Sequence, residues 1–374
     1  MSFDFPASPA EGASYSPAGG PKYVYTGGVW RSTGVAAVVG TASHPNRIVN
    51  GAMQISQQWG NTLLSSQGTY YVTDQWVYYY NVVGNGAHTF QHIIGNYTKY
   101  GSLHRIRVTI VTPKVTLAAG DAATIRTFIE GVRVNDMGWG YGFAKQVVLR
   151  FGWKSPAGTY SVAIVNAANN RSFVAQFTIA AGQANVDTEQ TIVIPGDTTG
   201  TWLTTAVHSF TVHFCIALGS TFHAPAAGWN AGQYFALASN SNGAGATGVF
   251  ELFDVGLYVD HLATGLAPPW QPLTYAEDLA ECLRYYNEFN FTSAGSLVLF
   301  LDAYAVSAGV YTIGSLSYLP MRAMPSATPT WGAFGNVTTA VVEPGIDHAN
   351  VTLRSTGVGR QYGTLATLVL SARM

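Results

Sequence analysis

The sequence predicts an all-β protein: an antiparallel jelly-roll sandwich, then one linking α-helix and a second, smaller β domain, with a short β module in front. Three observations carry this reading. Short runs rich in β-branched and aromatic residues recur along the chain, with Gly, Asn, Asp or Pro between most of them. One stretch, "TYAEDLAECLRYYNEF" (274–289), stands apart with helical caps and spacing. Charged residues make up 10% of the 374 and hydrophobic ones 48%, where the usual charged share is ~25%. That balance is too apolar for a disordered chain. It also leaves few charges for the surface, so part of the apolar skin is expected to be covered by other subunits.

Residues 1–33 form the N-terminal module. Pro6, Pro9, Pro17 and Pro21 exclude a helix interior. "KYVYTGGVWR" reads as a hairpin turning at Gly27-Gly28. So small a piece has to pack on something larger to be stable. Residues 34–272 carry the sandwich. "TYYVTDQWVYYY", "HRIRVTIVT", "KQVVLRFGWKS", "GTYSVAIVN", "RSFVAQFTI", "SFTVHFCIAL" and "GVFELFDVGLYV" are its clearest strands, and many strands with almost no helix mean a sandwich or jelly roll. The segment 122–134 has a helical turn in its pattern, but its β-branched content and Gly131 favour a strand.

Residues 273–290 are the linking helix. Thr274 stands three residues before Glu277, the spacing of a capping box. Tyr275, Leu279, Leu283 and Tyr286 make one apolar stripe that must be buried, on the sandwich or against copies of itself. Arg284 is placed to pair with Glu281 and Glu288 on the solvent side. Strand signals resume over residues 291–374.

Several function classes are set aside. Net charge is −1 and no Lys/Arg-rich run appears, which argues against nucleic-acid binding. No apolar run reaches the ~18 residues needed to span a bilayer, and the N-terminus lacks a signal-peptide pattern, so no membrane insertion is expected. Cys215 and Cys282 have no zinc spacing and read as buried thiols. No catalytic residues are assigned. Asp187 and Glu189 read as a solvated loop, and Glu251 and Asp254, three apart on a strand, as lying on opposite faces.

Sugar binding is the sharper possibility. The chain has 21 Tyr and 9 Trp, and sugar rings stack their C–H faces on exposed aromatics. Tyr79 faces away from Tyr78 and Tyr80 by alternation. Asp136, Trp139 and Tyr141 in "NDMGWGYG" are candidates to crown a loop, and Trp229 in "AAGWNAGQY" sits among small neighbours. For each, a place in the core or in a subunit interface is the competing reading.

Taken together, "FDFPASPAEGASYSPAGGPKYVYTGGVW", "NRIVNGAMQISQQWG", "YYVTDQWVY", "IEGVRVNDMGWGYGFAKQVVLRFGWKSPAGTYSVAIVNAANNRSFVAQFTI", "TIVIPGDTTGTW", "YAEDLAECLRYYNEF" and "LPMRAMPSATPTW" resemble phage virion proteins of the tail-fibre or appendage type. Matches fall along nearly the whole chain. Their order and spacing carry the resemblance. It implies a structural, non-enzymatic protein located in the virion, commonly a homotrimer. The N-terminal module would dock on other virion proteins of the capsid or tail, with Phe3, Phe5, Tyr23, Tyr25 and Trp30 as docking candidates. The jelly roll would be free to bind host-surface polysaccharide. The alternatives are a purely structural decoration or connector protein, and a polysaccharide depolymerase. The jelly roll of this family is in turn similar to carbohydrate-binding modules, which often hold a structural calcium. Asp254 fits the late-strand position of such a site, but Gln54 stands where the other acid would be. Calcium prefers carboxylate oxygens, so no cofactor is expected.

Overall fold

In the N-terminal unit the two consecutive glycines decide the local structure. Gly27 and Gly28 have φ of 62° and 81°, the left-handed pair that a two-residue hairpin turn requires. They join Tyr23–Thr26 to Val29–Ser32 in the register Tyr25↔Trp30, and Ser14–Tyr15 adds a third strand. Trp30 meets the rings of Tyr25 and Tyr15 at 5.4 and 6.0 Å. The computed structural model describes residues 6, 8–15, 23–32, 46–82, 84, 86–95, 97–291 and 299–374. Phe3 and Phe5 lie outside the described residues. The chain divides into two units, Met1–Pro45 and Asn46–Met374.

The second unit is built on a jelly-roll sandwich. Its seven-stranded sheet runs in the order Gly228–Ala231, Arg171–Ile179, Gly158–Asn166, His208–Leu218, Ala122–Glu130, Trp76–Asn81, Gly68–Thr73. Facing it are Thr188–Ile194, Val147–Lys154, Gly248–Val259, His104–Thr112 and Ala87–Ile94. All pairings within the two sheets are antiparallel. The period-two pattern is the cause: Tyr160, Val162 and Ile164 point into the sandwich, while Ala163 and Val165 point the other way. Trp76, Phe151, Trp153, Phe214 and Phe250 fill the interior and are fully buried. Each such side chain contributes roughly 2–3 kcal/mol by leaving water. Segment 122–134 is strand through Glu130, and two 3-10 turns follow. Cys215 and Cys282 are buried free thiols.

The helix spans Tyr275–Leu283, and its capping box forms: Thr274 Oγ1 accepts from Glu277 N, and Glu277 accepts from Thr274 N. Its buried face is not the expected one. Tyr275 is 60% exposed, Leu279 and Leu283 are half-buried, and the buried positions are Asp278, Cys282 and then Tyr285. Tyr286 has left the helix; it opens the strand Tyr286–Asn290 and is buried there. Polar anchoring explains the rotation. Asp278 accepts from Asn50 N at 3.1 Å and from Gln54 Nε2 at 2.9 Å, which turns that face onto the Asn50–Gly51 loop. Nor do the expected solvent pairs form. Arg284 forks onto the buried Glu130 carboxylate at 2.7 and 3.0 Å, joined by the Tyr285 hydroxyl at 2.9 Å, and Glu281 pairs with Arg133.

The strands after the helix form two small sheets. Gly359–Ser371 pairs with Tyr286–Asn290, with Leu299–Ala305 and with Ser326–Gly335. Tyr311–Ser317, His348–Ser355 and Val337–Pro344 make the other. Val351, Leu353, Leu365, Leu368 and Leu370 are their shared core. This body is tied to the sandwich: Tyr71 donates to the Met374 carbonyl at 2.7 Å, and the Arg373 guanidinium lies over the rings of Tyr71 and Tyr286. Among the described residues, no helix is long and apolar enough to cross a membrane.

Candidate functional site

The loop between Ala122–Glu130 and Val147–Lys154 brings most of the aromatic candidates together. Gly138 and Gly140 have φ of 63° and 88°, and this left-handed backbone reverses the chain on either side of Trp139. The indole is thereby swung inward. Trp139 is 4% exposed, donates Nε1–H to the Lys145 carbonyl at 2.8 Å, and stacks on Phe210. It meets Trp202 and Trp229 edge to face at 4.8 and 5.3 Å. The expectation that Trp139 crowns the loop is therefore corrected: it plugs the end of the sandwich.

Trp229 is half-buried, its Nε1–H given to the Pro195 carbonyl at 3.0 Å. The Arg171 guanidinium lies over its ring and grips the buried Asp197 at 2.6 and 2.9 Å. Asp197 also accepts from Trp202 Nε1. Asp136 is exposed and pairs with Arg47 at 2.6 Å.

What stands on the loop's surface is Tyr141, 61% exposed, and Phe143, 70% exposed, stacked at 5.4 Å with an interplanar angle of 7°. Phe143 lies over Gly138, where a Cβ would approach its ring to 2.6 Å. The two stacked rings form one exposed apolar step beside a cleft lined by Asn135, Gly138, Trp202, Leu203 and Thr204. Neither Phe143 nor Trp202 was singled out from the sequence. The signal was the alternation "GYGF", which places two large rings two residues apart with a glycine before each. Tyr79 is not brought here. It sits half-buried on the outer face of the seven-stranded sheet, beneath the Arg126 guanidinium at 4.8 Å.

The outer face of the five-stranded sheet is a second polar surface, and the sequence did not disclose it. Glu251, fully buried, receives Arg105 and Arg107 at 2.7 Å each, and Lys154 at 3.7 Å. Arg105 also forks onto Asp187, and Arg150 pairs with Glu189 at 2.9 Å. Asp187 and Glu189, read as a solvated loop, are thus held by arginines. The opposite-face reading of Glu251 and Asp254 fails too. A bulge between Phe253 and Gly256, with Asp254 at φ 51°, breaks the alternation. Asp254 instead lines a small pocket with Tyr100, Arg150, Asp187 and Glu189.

Asp254 is 3% exposed, and neither carboxylate oxygen has a partner in hydrogen-bond geometry. Burial raises its pKa, against the opposing pull of the Ser102 and Thr98 hydroxyls and of Arg150 and Arg105. These residues do not fit a calcium ion. Asp254 is a single free carboxylate with an arginine beside it, and Gln54 is engaged with Asp278 and the Leu273 carbonyl. Among the described residues, no group of three or more His, Cys, Asp or Glu is placed to hold a metal.

No protein-family model and no curated protein matches the chain. Solved structures do. The enzymatically active domain of tailspike protein 4 of bacteriophage CBA120 is 12% identical at a TM-score of 0.30, over 57% of this chain and 21% of that one. A putative sugar-binding protein from Bacteroides thetaiotaomicron is 12% identical at a TM-score of 0.31, over 58% and 100%. A family 11 carbohydrate-binding module from Clostridium thermocellum is 15% identical at a TM-score of 0.24, over 52% and 96%.

Proposed function

We propose that this chain is a non-enzymatic, glycan-binding component of a bacteriophage virion appendage, of the tail-fibre or spike kind. Its N-terminal hairpin module docks on other virion proteins, and the protein assembles as a homotrimer. The observation that carries the glycan part is the exposed, parallel-stacked Tyr141–Phe143 pair beside the Trp202 cleft. Two large rings held exposed in solvent cost free energy unless something covers them, and a sugar ring presents the complementary apolar face. The side chains behind them are packed, with Trp139 buried and Phe143 seated on Gly138, so the step is held in place before any ligand arrives.

Binding of host-surface polysaccharide tests this, measured by titration of the purified chain and of Tyr141→Ala and Phe143→Ala variants. Each variant is expected to weaken binding about tenfold, a loss of about 1.4 kcal/mol. Unchanged affinity in both would overturn the platform and favour a purely structural decoration protein, in which the pair is covered by a neighbouring virion protein. A chain lacking residues 1–33 is expected to fold but to be absent from particles; its normal incorporation would reject docking through Tyr23, Tyr25 and Trp30.

A further inference from the structure

Arginines on the strands of the sandwich follow a rule with one exception. Arg105, Arg107, Arg150 and Arg171 each hold a carboxylate at 2.6 to 2.9 Å. Among the described residues Arg126, at the middle of Ala122–Glu130, holds no carboxylate and makes no hydrogen bond. Its Nε is buried without a partner. Its guanidinium lies over two rings, Tyr79 at 4.8 Å and Phe128 at 5.3 Å. In register on one side is Val77 and on the other His213, whose Nδ1 is also buried and unpartnered. His208 stands edge-on to Phe128 at 5.1 Å.

We propose that Arg126 is the centre of an oxyanion site on the outer face of the seven-stranded sheet, and that it takes the carboxylate of an acidic sugar. A largely enclosed cation is costly without a counter-charge, and ring faces offset only part of that cost. With both flanking rings turned to the guanidinium, its N–H edge is what remains for a ligand. A carboxylate matches that edge with two parallel hydrogen bonds. The surroundings favour an anion, since Arg373 and Arg322 act together with Arg126 on the neighbouring Tyr71. Arg373 lies over Tyr71, and Arg322 is held to the Ala206 and Arg373 carbonyls. Among the described residues the acid paired with Arg373 is Asp74, at 3.8 Å and already bonded by Gln57. Tyr79 and Phe128 add half-buried ring surface for the C–H face of the same sugar. The site lies away from the Tyr141–Phe143 step and does not depend on it.

The test is calorimetric titration of the full chain with a uronic-acid oligosaccharide, with its carboxyl-reduced neutral counterpart, and with sodium acetate. The expected result is binding of the acidic sugar that weakens with added salt, with the neutral form and acetate each weaker by about tenfold or more. Arg126→Gln removes the difference between acidic and neutral forms, and Arg126→Lys, which keeps the charge and loses the fork, retains part of it. Tyr141→Ala leaves that difference unchanged, which separates this site from the step. Equal binding of the acidic and neutral forms, or an Arg126→Gln chain that still discriminates, would overturn the proposal. Equal binding of acetate and the acidic sugar would overturn its assignment to a sugar. The unliganded melting temperature gives an independent reading. Arg126→Gln is expected to stay close to the wild type, because no hydrogen bond or ion pair is lost and the relief of burying a charge offsets the two ring contacts; a large fall would mark a structural arginine and defeat the assignment.

Discussion

Trp139 and Tyr141 are two residues apart and separate cleanly by role. Trp139→Ala opens a hole among Phe210, Trp202 and Trp229, and the expected cost is about 3–5 kcal/mol in chemical denaturation. Tyr141→Ala is expected within about 0.5 kcal/mol of wild type. The sequence did not distinguish them. Positions 139, 141 and 143 share one parity, but parity sorts faces only along an extended strand, and two left-handed glycines interrupt it here. Buried histidines set the acid response. Burial holds His88, His92 and His208 each to about 4, with the neighbouring His104 adding to the effect at His92. Between about 4 and 6.5 the unfolded chain binds more protons at these sites than the folded one, so their stabilisation is complete above pH 6.5 and lost as pH falls toward 4. Each is worth up to about 3 kcal/mol. Asp278 works the other way: burial lifts it to about 6, so the folded state loses stability as pH rises through that value. Three histidines outweigh one aspartate. Melting temperature is expected to fall steadily below pH 6.5, and less steeply in His92→Gln; an equal slope in that variant would reject the assignment.

Among elements, the helix was legible where its signals are local and illegible where they are not. The Thr274–Glu277 box is written in four adjacent residues and forms as read. Which face is buried depends on Asn50, Gln54 and Glu130, more than a hundred residues upstream, and a nine-residue helix has too few turns for its apolar pattern to settle the matter. The strand Gly248–Val259 shows the same division. Its composition marks a strand, but the bulge that puts Asp254 beside Tyr100 and Arg150 has no signature in "FELFDVGLYV". Arg284→Ala is the sharp test of the helix clamp, because it leaves Glu130 buried without its cation. A loss of about 3 kcal/mol is expected by urea unfolding, where a solvent-facing pair would show no more than about 0.5 kcal/mol.

At the scale of the molecule, the few charges are concentrated in the sandwich. Arg105, Arg107, Arg150, Lys154, Asp187, Glu189 and Glu251 lie on one sheet face. The small C-terminal sheets, by contrast, expose Tyr304 at 69%, Val306 at 74%, Tyr311 at 59% and Ile313 at 64%. The low charge content read from the sequence anticipated uncovered apolar area, though not its position. In the proposed homotrimer this area is where copies would meet, and sedimentation equilibrium of the purified chain is expected to return three times the protomer mass. Ile313→Lys should shift that toward the protomer, and a protomer mass for the wild type would reject the trimer.

Gly359–Ser371 is the shared neighbour of three earlier strands. A ribosome delivers those three first, and until their common partner emerges they have no ladder to join. The smaller β body therefore cannot close its larger sheet until the last strand of the chain is in hand. Chains whose synthesis stops short of residue 359 would keep a bare hydrophobic seam, open to proteases before any neighbour could cover it.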